Sequence, residues 1–205
     1  HLALPGISSE PQDQREKVGR LSARESGRQM KRGVFLDRDG VINRVFLKGG
    51  RPHPPASLSQ FELLVGVPEA IQALRQAGFR IIVVTNQPDV ATGVQSRETV
   101  EAMHAYLLER IEVDAIKVCF HIDSDHCTCR KPKPGMLLQA ADEWCLDLKR
   151  SYMIGDRWRD IEAGYTAGCK TILVGGGYAE KAAKSPDVVV DSLREASRVI
   201  LADTV

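Results

Sequence analysis

Two pairs of carboxylates in this sequence stand where short apolar runs end. The first lies in Phe35-Leu36-Asp37-Arg38-Asp39-Gly40-Val41-Ile42-Asn43. Its carboxylates are those of Asp37 and Asp39. A bend at Gly40 can bring both to one ligand in different surroundings, so that one stays ionised as a nucleophile and the other keeps a proton as an acid. A plain strand-ending turn uses the same residue types. The second pair lies in Gly155-Asp156-Arg157-Trp158-Arg159-Asp160. Asp156 and Asp160, four apart, share one face of a starting helix, although acids at a helix start also serve the dipole alone. With Asp37 they make an oxygen-rich donor set of the kind that suits Mg²⁺. Thr85-Asn86-Gln87 ends a third apolar run and offers a hydroxyl, an amide and N–H groups to phosphate oxygens, or else forms a polar turn.

A softer donor set follows. Cys119-x-His121, five intervening residues and Cys127-x-Cys129 supply three thiolates and an imidazole. That shell is tetrahedral and closed, which describes a structural Zn²⁺; a loop of redox-active or free cysteines is the alternative. His126 is a rival ligand, made awkward by its adjacency to Cys127. Cys145 and Cys169 are expected in helical contexts as small buried hydrophobes. Cys129 precedes Lys131 by two residues, so a locked loop aims Arg130 and Lys131. Lys133, between Pro132 and Pro134, is expected to extend into solvent.

These residues need a scaffold, and the periodicity supplies one. Strands are predicted over 34–36, 81–84, 115–118, 152–154, 171–174 and 188–190, and helices over 68–76, 96–112, 135–145, 160–167 and 193–201. Ser96 is the expected N-cap of the second helix. Short apolar strands alternating with helices describe an α/β fold, a Rossmann-like parallel sheet covered on both faces. Ligands bind such sheets at the carboxyl ends of the strands, where Asp37, Thr85, Cys119 and Asp156 fall. Residues 43–63 carry Gly49, Gly50, Pro52, Pro54 and Pro55 without clear period and are expected to form a long loop over the site. Residues 1–31, polar and aperiodic, are expected to be a disordered extension, with one domain over 32–205. The chain begins with His, and Met30 is a candidate natural start. Acids at Glu10, Asp13, Glu16 and Glu25 disfavour a transit peptide.

The 205 residues are 43% hydrophobic and 27% charged with a formal net charge of +1, the profile of a globular domain without a polyanion-binding surface. No apolar run reaches membrane-spanning length. The expected setting is cytoplasmic, as a monomer that binds neither nucleic acid nor membrane. The odd cysteine count argues against a disulfide framework.

Asp37-Arg38-Asp39-Gly40, Val84-Thr85-Asn86, Lys131, and Gly155-Asp156 with Asp160, in that order, resemble the haloacid dehalogenase-like phosphatases across about residues 33–175. The resemblance implies a haloacid dehalogenase-like fold without a large cap domain. It implies Asp37 as the nucleophile that becomes an aspartyl phosphate, and Asp39 as acid and then base. It places Mg²⁺ on Asp37, the Asp39 carbonyl and Asp156, and the transferring phosphoryl group on Thr85 and Lys131, with Asn86 and Gln87 beside it. Asp160 then orients Lys131 or a metal-bound water. With its zinc loop the chain is similar to the D-glycero-D-manno-heptose 1,7-bisphosphate 7-phosphatases. The five-residue gap between His121 and Cys127 is similar to the related histidinol-phosphatase branch. The implied substrate is a small phosphorylated metabolite, a sugar bisphosphate, whose second phosphate meets Arg130 and which Arg157 also contacts.

Overall fold

The computed structural model describes residues 30–203, so the expected disorder of the N-terminal extension falls almost wholly outside the described residues. Met30, exposed, and Lys31 are the exceptions, and Lys31 is bonded on both sides. Its N–H donates to Cys145 O and its carbonyl accepts from Asp147 N, at 2.9 and 2.8 Å, which ties it into the domain.

Five strands follow the expected pattern: β1 (Gly33–Leu36), β4 (Arg80–Asn86), β5 (Ala115–Cys119), β6 (Tyr152–Gly155) and β7 (Lys170–Val174), with the short β8 (Val188–Val190) after them. They form one sheet in the order β5-β4-β1-β6-β7-β8, and every pairing is parallel. Alternation along each strand divides the core in two. Val34, Leu36, Ile81, Val83 and Ile154 face one side, against α1 (Val67–Gln76), α2 (Arg97–Leu108) and α5 (Leu193–Ala202). Phe35, Ile82, Val84 and Met153 face the other, against α3 (Gly135–Trp144) and α4 (Trp158–Ala167). Burial on both faces is why these strands read as unbroken apolar runs.

Helix starts follow sequence signals. Ser96 Oγ accepts from Thr99 N at 3.1 Å, the expected N-cap. The second helix stops at Leu108 rather than 112. Beyond it the chain turns, burying Ile111 and bringing Asp114 Oδ2 within 2.8 Å of Ile81 N. That carboxylate also accepts from Arg75 and Arg80.

Part of the expected loop over 43–63 is ordered differently. Phe46–Lys48 (β2) and Arg51–His53 (β3) form an antiparallel hairpin, Lys48 opposite Arg51. Its turn is Gly49-Gly50, with φ of 57° and 74°. Two positive φ values match the twist of a tight hairpin, and Gly-Gly between short strands is the signal for one. Cys169 is buried in the core as expected, though outside a helix, whereas Cys145 departs from the expected burial. Cys145 is half-buried at the C-cap of α3 with φ of 52°, and Cys169 is buried just before β7. Among the described residues no helix is long and apolar enough to cross a membrane.

α3 follows directly on the cysteine loop, and Leu137 is its fully buried anchor. Leu137→Ala should cost about 2–5 kcal/mol of stability through lost contacts and a residual cavity. Urea denaturation reads this as a lower midpoint with an unchanged slope. An unchanged midpoint would mean that the face under α3 does not hold the domain together.

Candidate active site

The carboxyl ends of β1, β4 and β6 converge on one buried ammonium. Lys131 Nζ lies 2.8 Å from Asp37 Oδ1, 2.6 Å from Asp160 Oδ1 and 2.7 Å from the carbonyl of Val84. Each partner comes from a different segment. Asp37 leaves β1 with its N–H bonded to Ile154 O of β6 at 2.9 Å. Asp160 sits in the first turn of α4 and does two things: Oδ2 accepts from Arg157 N at 3.1 Å, capping the helix, while Oδ1 holds the lysine.

Asp37, Asp156 and Asp160 each bring one carboxylate oxygen within 4.8 Å of the others. Burial raises the Asp37 carboxyl to about 7; Lys131 opposes this and Asp160 and Asp39 add to it. Asp156 is raised well above the carboxylate range, first by burial and then by Asp37 and Asp160. Burial alone would lower Lys131, but Asp160 and Asp37 outweigh it and keep the ammonium charged. One lysine does not neutralise three acids. Asp156 Oδ1 is buried with no hydrogen-bond partner among the described residues, while Oδ2 accepts from Tyr178 Oη at 2.7 Å. Hard, buried, partly unpaired oxygens fit Mg²⁺. Gly40 permits the close approach: with φ of 93°, a Cβ there would stand 2.0 Å from Asp156 Oδ2.

Asp39 lies at the same cavity, apart from the three-acid cluster. Its carboxylate accepts from Arg38 Nη2 at 2.9 Å, Asn43 Nδ2 at 2.9 Å and Gln87 Nε2 at 2.7 Å. Arg38 is fully buried and its Nη1 meets His104 Nε2 at 3.1 Å. Burial, then Arg38, lowers His104 to about 4. The imidazole is therefore neutral and can accept from the guanidinium.

The segment after β4 is arranged for support. Thr85 is buried, its Oγ1 accepting from Gln87 Nε2 at 2.9 Å. The Asn86 amide is spent on the Lys131 main chain in both directions, at 3.0 and 3.1 Å. Of the three residues only Asn86 reaches the wall of the cavity, which is about 240 Å³ and also takes in Asp37, Asp39, Arg130 and Arg157. Arg157, expected to meet substrate, is paired with Glu180, its Nε lying 2.9 and 3.1 Å from the two carboxylate oxygens. Arg130 Nε donates to Asp123 Oδ1 at 2.7 Å.

Cys119, His121, Cys127 and Cys129 gather as a second cluster, without His126. His121 Nδ1 lies 3.6 Å from Cys119 Sγ and 3.3 Å from Cys129 Sγ, and the sulfurs are 3.2–3.8 Å apart. Tetrahedral Zn–S bonds of about 2.3 Å place sulfurs about 3.8 Å apart, so the donor set and its size fit Zn²⁺. All five cysteines are free thiols. Lys133 is exposed but turns back rather than extending: its N–H bonds to Arg130 O at 2.9 Å and its Nζ to the Cys127 carbonyl at 2.6 Å.

The sequence did not flag Tyr178, Glu180, His104 or Asp123. None of them belongs to a motif, and the first two follow the glycine run 175–177 beyond β7. Arg38 carried a signal, since a charged residue between two aspartates on a buried strand end must be paired.

Without Mg²⁺, Asp37 holds a proton more tightly in the folded protein, at about 7 against 3.8 for the ordinary carboxyl. Its contribution to stability therefore declines as pH rises from about 4 to about 7. Asp37→Asn has no such proton to lose. Its stability relative to wild type, read from urea midpoints in Mg²⁺-free buffer, should climb over that window and level off above it. A constant difference from pH 4 to 8 would show that Asp37 is not held protonated.

The HAD-hydrolase-like family model matches residues 128–196. The D-glycero-beta-D-manno-heptose-1,7-bisphosphate 7-phosphatase of Pasteurella multocida is 36% identical over 83% of this chain and 97% of its own. The enzyme of that name from Escherichia coli K12 is 35% identical over 82% of this chain and 92% of its own. The crystal structure of the D,D-heptose 1,7-bisphosphate phosphatase from B. bronchiseptica, complexed with magnesium and phosphate, superposes with a TM-score of 0.72. It is 31% identical and covers 84% of this chain and 99% of that one. With relatives matched over nearly their whole length, on a parallel sheet whose strand ends carry the aspartates, this chain belongs to the HAD-like phosphatase family of the D-glycero-beta-D-manno-heptose-1,7-bisphosphate 7-phosphatases.

Proposed function

We propose that the chain is a Mg²⁺-dependent phosphomonoesterase that removes the 7-phosphate of D-glycero-D-manno-heptose 1,7-bisphosphate through Asp37. The observation that carries this is the Lys131 ammonium, 2.8 Å from the buried Asp37 carboxylate, both lining one cavity. An aspartate so held is positioned but not consumed by its ion pair.

Asp37 attacks phosphorus, forming an O–P bond to its carboxylate while the bond to the sugar oxygen breaks. Asp39 gives that oxygen a proton, so the sugar leaves as an alcohol. Asp39, now ionised, takes a proton from water, whose oxygen attacks the aspartyl phosphate and frees Asp37 and inorganic phosphate. To carry the first proton, Asp39 must give up a donor bond from Arg38, Asn43 or Gln87, so those bonds are the ones that change during turnover. Lys131 faces the negative charge of the transferring group. Bound to Asp37, Asp156 and the Asp39 carbonyl, Mg²⁺ would shield the anionic nucleophile from the anionic phosphate. Zn²⁺ on the cysteine loop would be held by Cys119, His121, Cys127 and Cys129 and would serve structure.

Phosphate release from heptose 1,7-bisphosphate, histidinol phosphate and common sugar phosphates tests the substrate. The heptose bisphosphate is expected to give the highest kcat/KM; the highest value on histidinol phosphate would refute it. Asp37→Asn should abolish turnover in a folded protein.

Lys131→Ala should lower kcat roughly a hundred- to thousand-fold, the usual cost of one preorganised charge contact, while keeping full zinc. Lys133→Ala touches only the Cys127 carbonyl and should change kcat a few-fold, and Cys127→Ser should lose activity in step with zinc. A dead Lys133→Ala beside an active Lys131→Ala would reverse the two roles.

A further inference from the structure

The segment that leaves β7 turns back to the acids. Beyond the glycine run 175–177, Tyr178 Oη donates to Asp156 Oδ2 at 2.7 Å, across 22 residues of sequence. The three residues that follow are each tied to a different part of the domain. Ala179 N donates to the Gly50 carbonyl in the hairpin turn at 2.8 Å. The Glu180 carboxylate accepts from Arg157 Nε at 2.9 and 3.1 Å. Lys181 Nζ lies 3.3 Å from Glu162 Oε2 and 3.9 Å from the Trp158 ring centroid, both in α4. Tyr178, itself half-buried, is therefore held in place by its neighbours in the chain.

The phosphoryl-transfer steps use no phenol, yet this one stands against a candidate metal ligand. Asp156 is 3% exposed, and its two oxygens differ. Oδ2 has the Tyr178 hydroxyl, while Oδ1 is buried with no partner among the described residues. Lys131 forms its ion pairs with Asp37 and Asp160, so the phenol is what holds the third acid. Gly40 closes the other side of Oδ2, where a Cβ would come within 2.0 Å. The carboxylate is thus fixed through one oxygen and left open at the other. A buried acceptor left unmade is costly, which points to an absent donor or cation at Oδ1.

We infer that Tyr178 is a positioning residue for the divalent cation of the acid cluster: by holding Asp156 Oδ2 it fixes the rotation of that carboxylate and reserves Oδ1 for the cation. The inference rests on the Mg²⁺ reading above and adds a residue from outside the motifs. Hydrogen bonds behind a metal ligand set its orientation and tune its affinity. A neutral hydroxyl suits the task, because a lysine or arginine at the same place would orient the carboxylate but repel the cation.

The test measures Mn²⁺ binding to the zinc-loaded full chain, without substrate, by electron paramagnetic resonance of the free ion. Mn²⁺ takes the octahedral oxygen sites that Mg²⁺ takes, and it binds too weakly to displace zinc from thiolates. Tyr178→Phe keeps the ring and removes the hydroxyl. Its Kd for Mn²⁺ should rise roughly ten- to a hundred-fold, with zinc content unchanged, and excess Mn²⁺ should fill the site again. Tyr178→Ala should lose no less. Wild-type affinity in Tyr178→Phe beside weak binding in Tyr178→Ala would make the ring a packing element and overturn the inference. Tighter binding in Tyr178→Phe would overturn it too, since the hydroxyl would then compete with the cation. Asp156→Asn separates the two claims. Weakened binding there with none in Tyr178→Phe removes the inference alone. Undiminished binding in Asp156→Asn, or no binding in wild type, removes the Mg²⁺ reading and the inference together.

Discussion

A desolvated lysine between two aspartates and a main-chain carbonyl organises this molecule. Three acids at the ends of β1 and β6 and in the first turn of α4 would repel one another in a water-poor floor, and Lys131 is the cation that lets them coexist. Removing one partner from such a cluster leaves charge buried and unmatched, which is worse than never having built it. The surrounding geometry follows from this. Asn86 is committed to the lysine's main chain, Asp160 caps α4 while holding the ammonium, and Gly40 lacks a side chain so that the Asp37 loop can lie against Asp156.

The lysine is delivered by a loop, and a loop is a poor carrier for a group that must be placed within a fraction of an ångström. The cysteine cluster answers that difficulty. Four donors ending two residues before Lys131 would, on holding one cation, tie that connection into a small rigid body. On its far side, Met136 and Leu137 of α3 anchor the loop to the sheet. Soft and hard donors are thus kept apart, thiolates and imidazole in the loop and carboxylates at the strand ends, so each cluster suits a different cation.

Acids and guanidiniums line the same cavity: Asp37, Asp39, Asp156 and Asp160 with Arg130, Arg157 and Arg159. Asp39 is held by a second buried cation, Arg38, whose other side rests on neutral His104. The carboxylates of Asp37 and Asp39 therefore have separate cationic partners, Lys131 and Arg38.

Much of this was legible beforehand. The apolar runs over 34–36, 81–84 and 152–154 gave strands within a residue or two, because burial on both sheet faces leaves no other pattern. The two aspartate pairs and the Cys/His spacing identified both clusters, because metal and phosphate chemistry demand particular atoms in a particular chain order. The Gly49-Gly50 hairpin has a local signal too, a glycine pair between two short strands. Composition and spacing, however, say only which atoms are on offer. Whether Asn86 faces a ligand or a main chain, whether Arg157 is free or held by Glu180, and whether Lys133 extends or folds back on Cys127 depends on residues far apart in sequence. The sequence by itself determined the donor types and the sheet that gathers them, since both are local or periodic. The tertiary structure alone decided which charges are already satisfied, because pairing is settled by distance in space and by burial, and neither is a property of neighbouring residues.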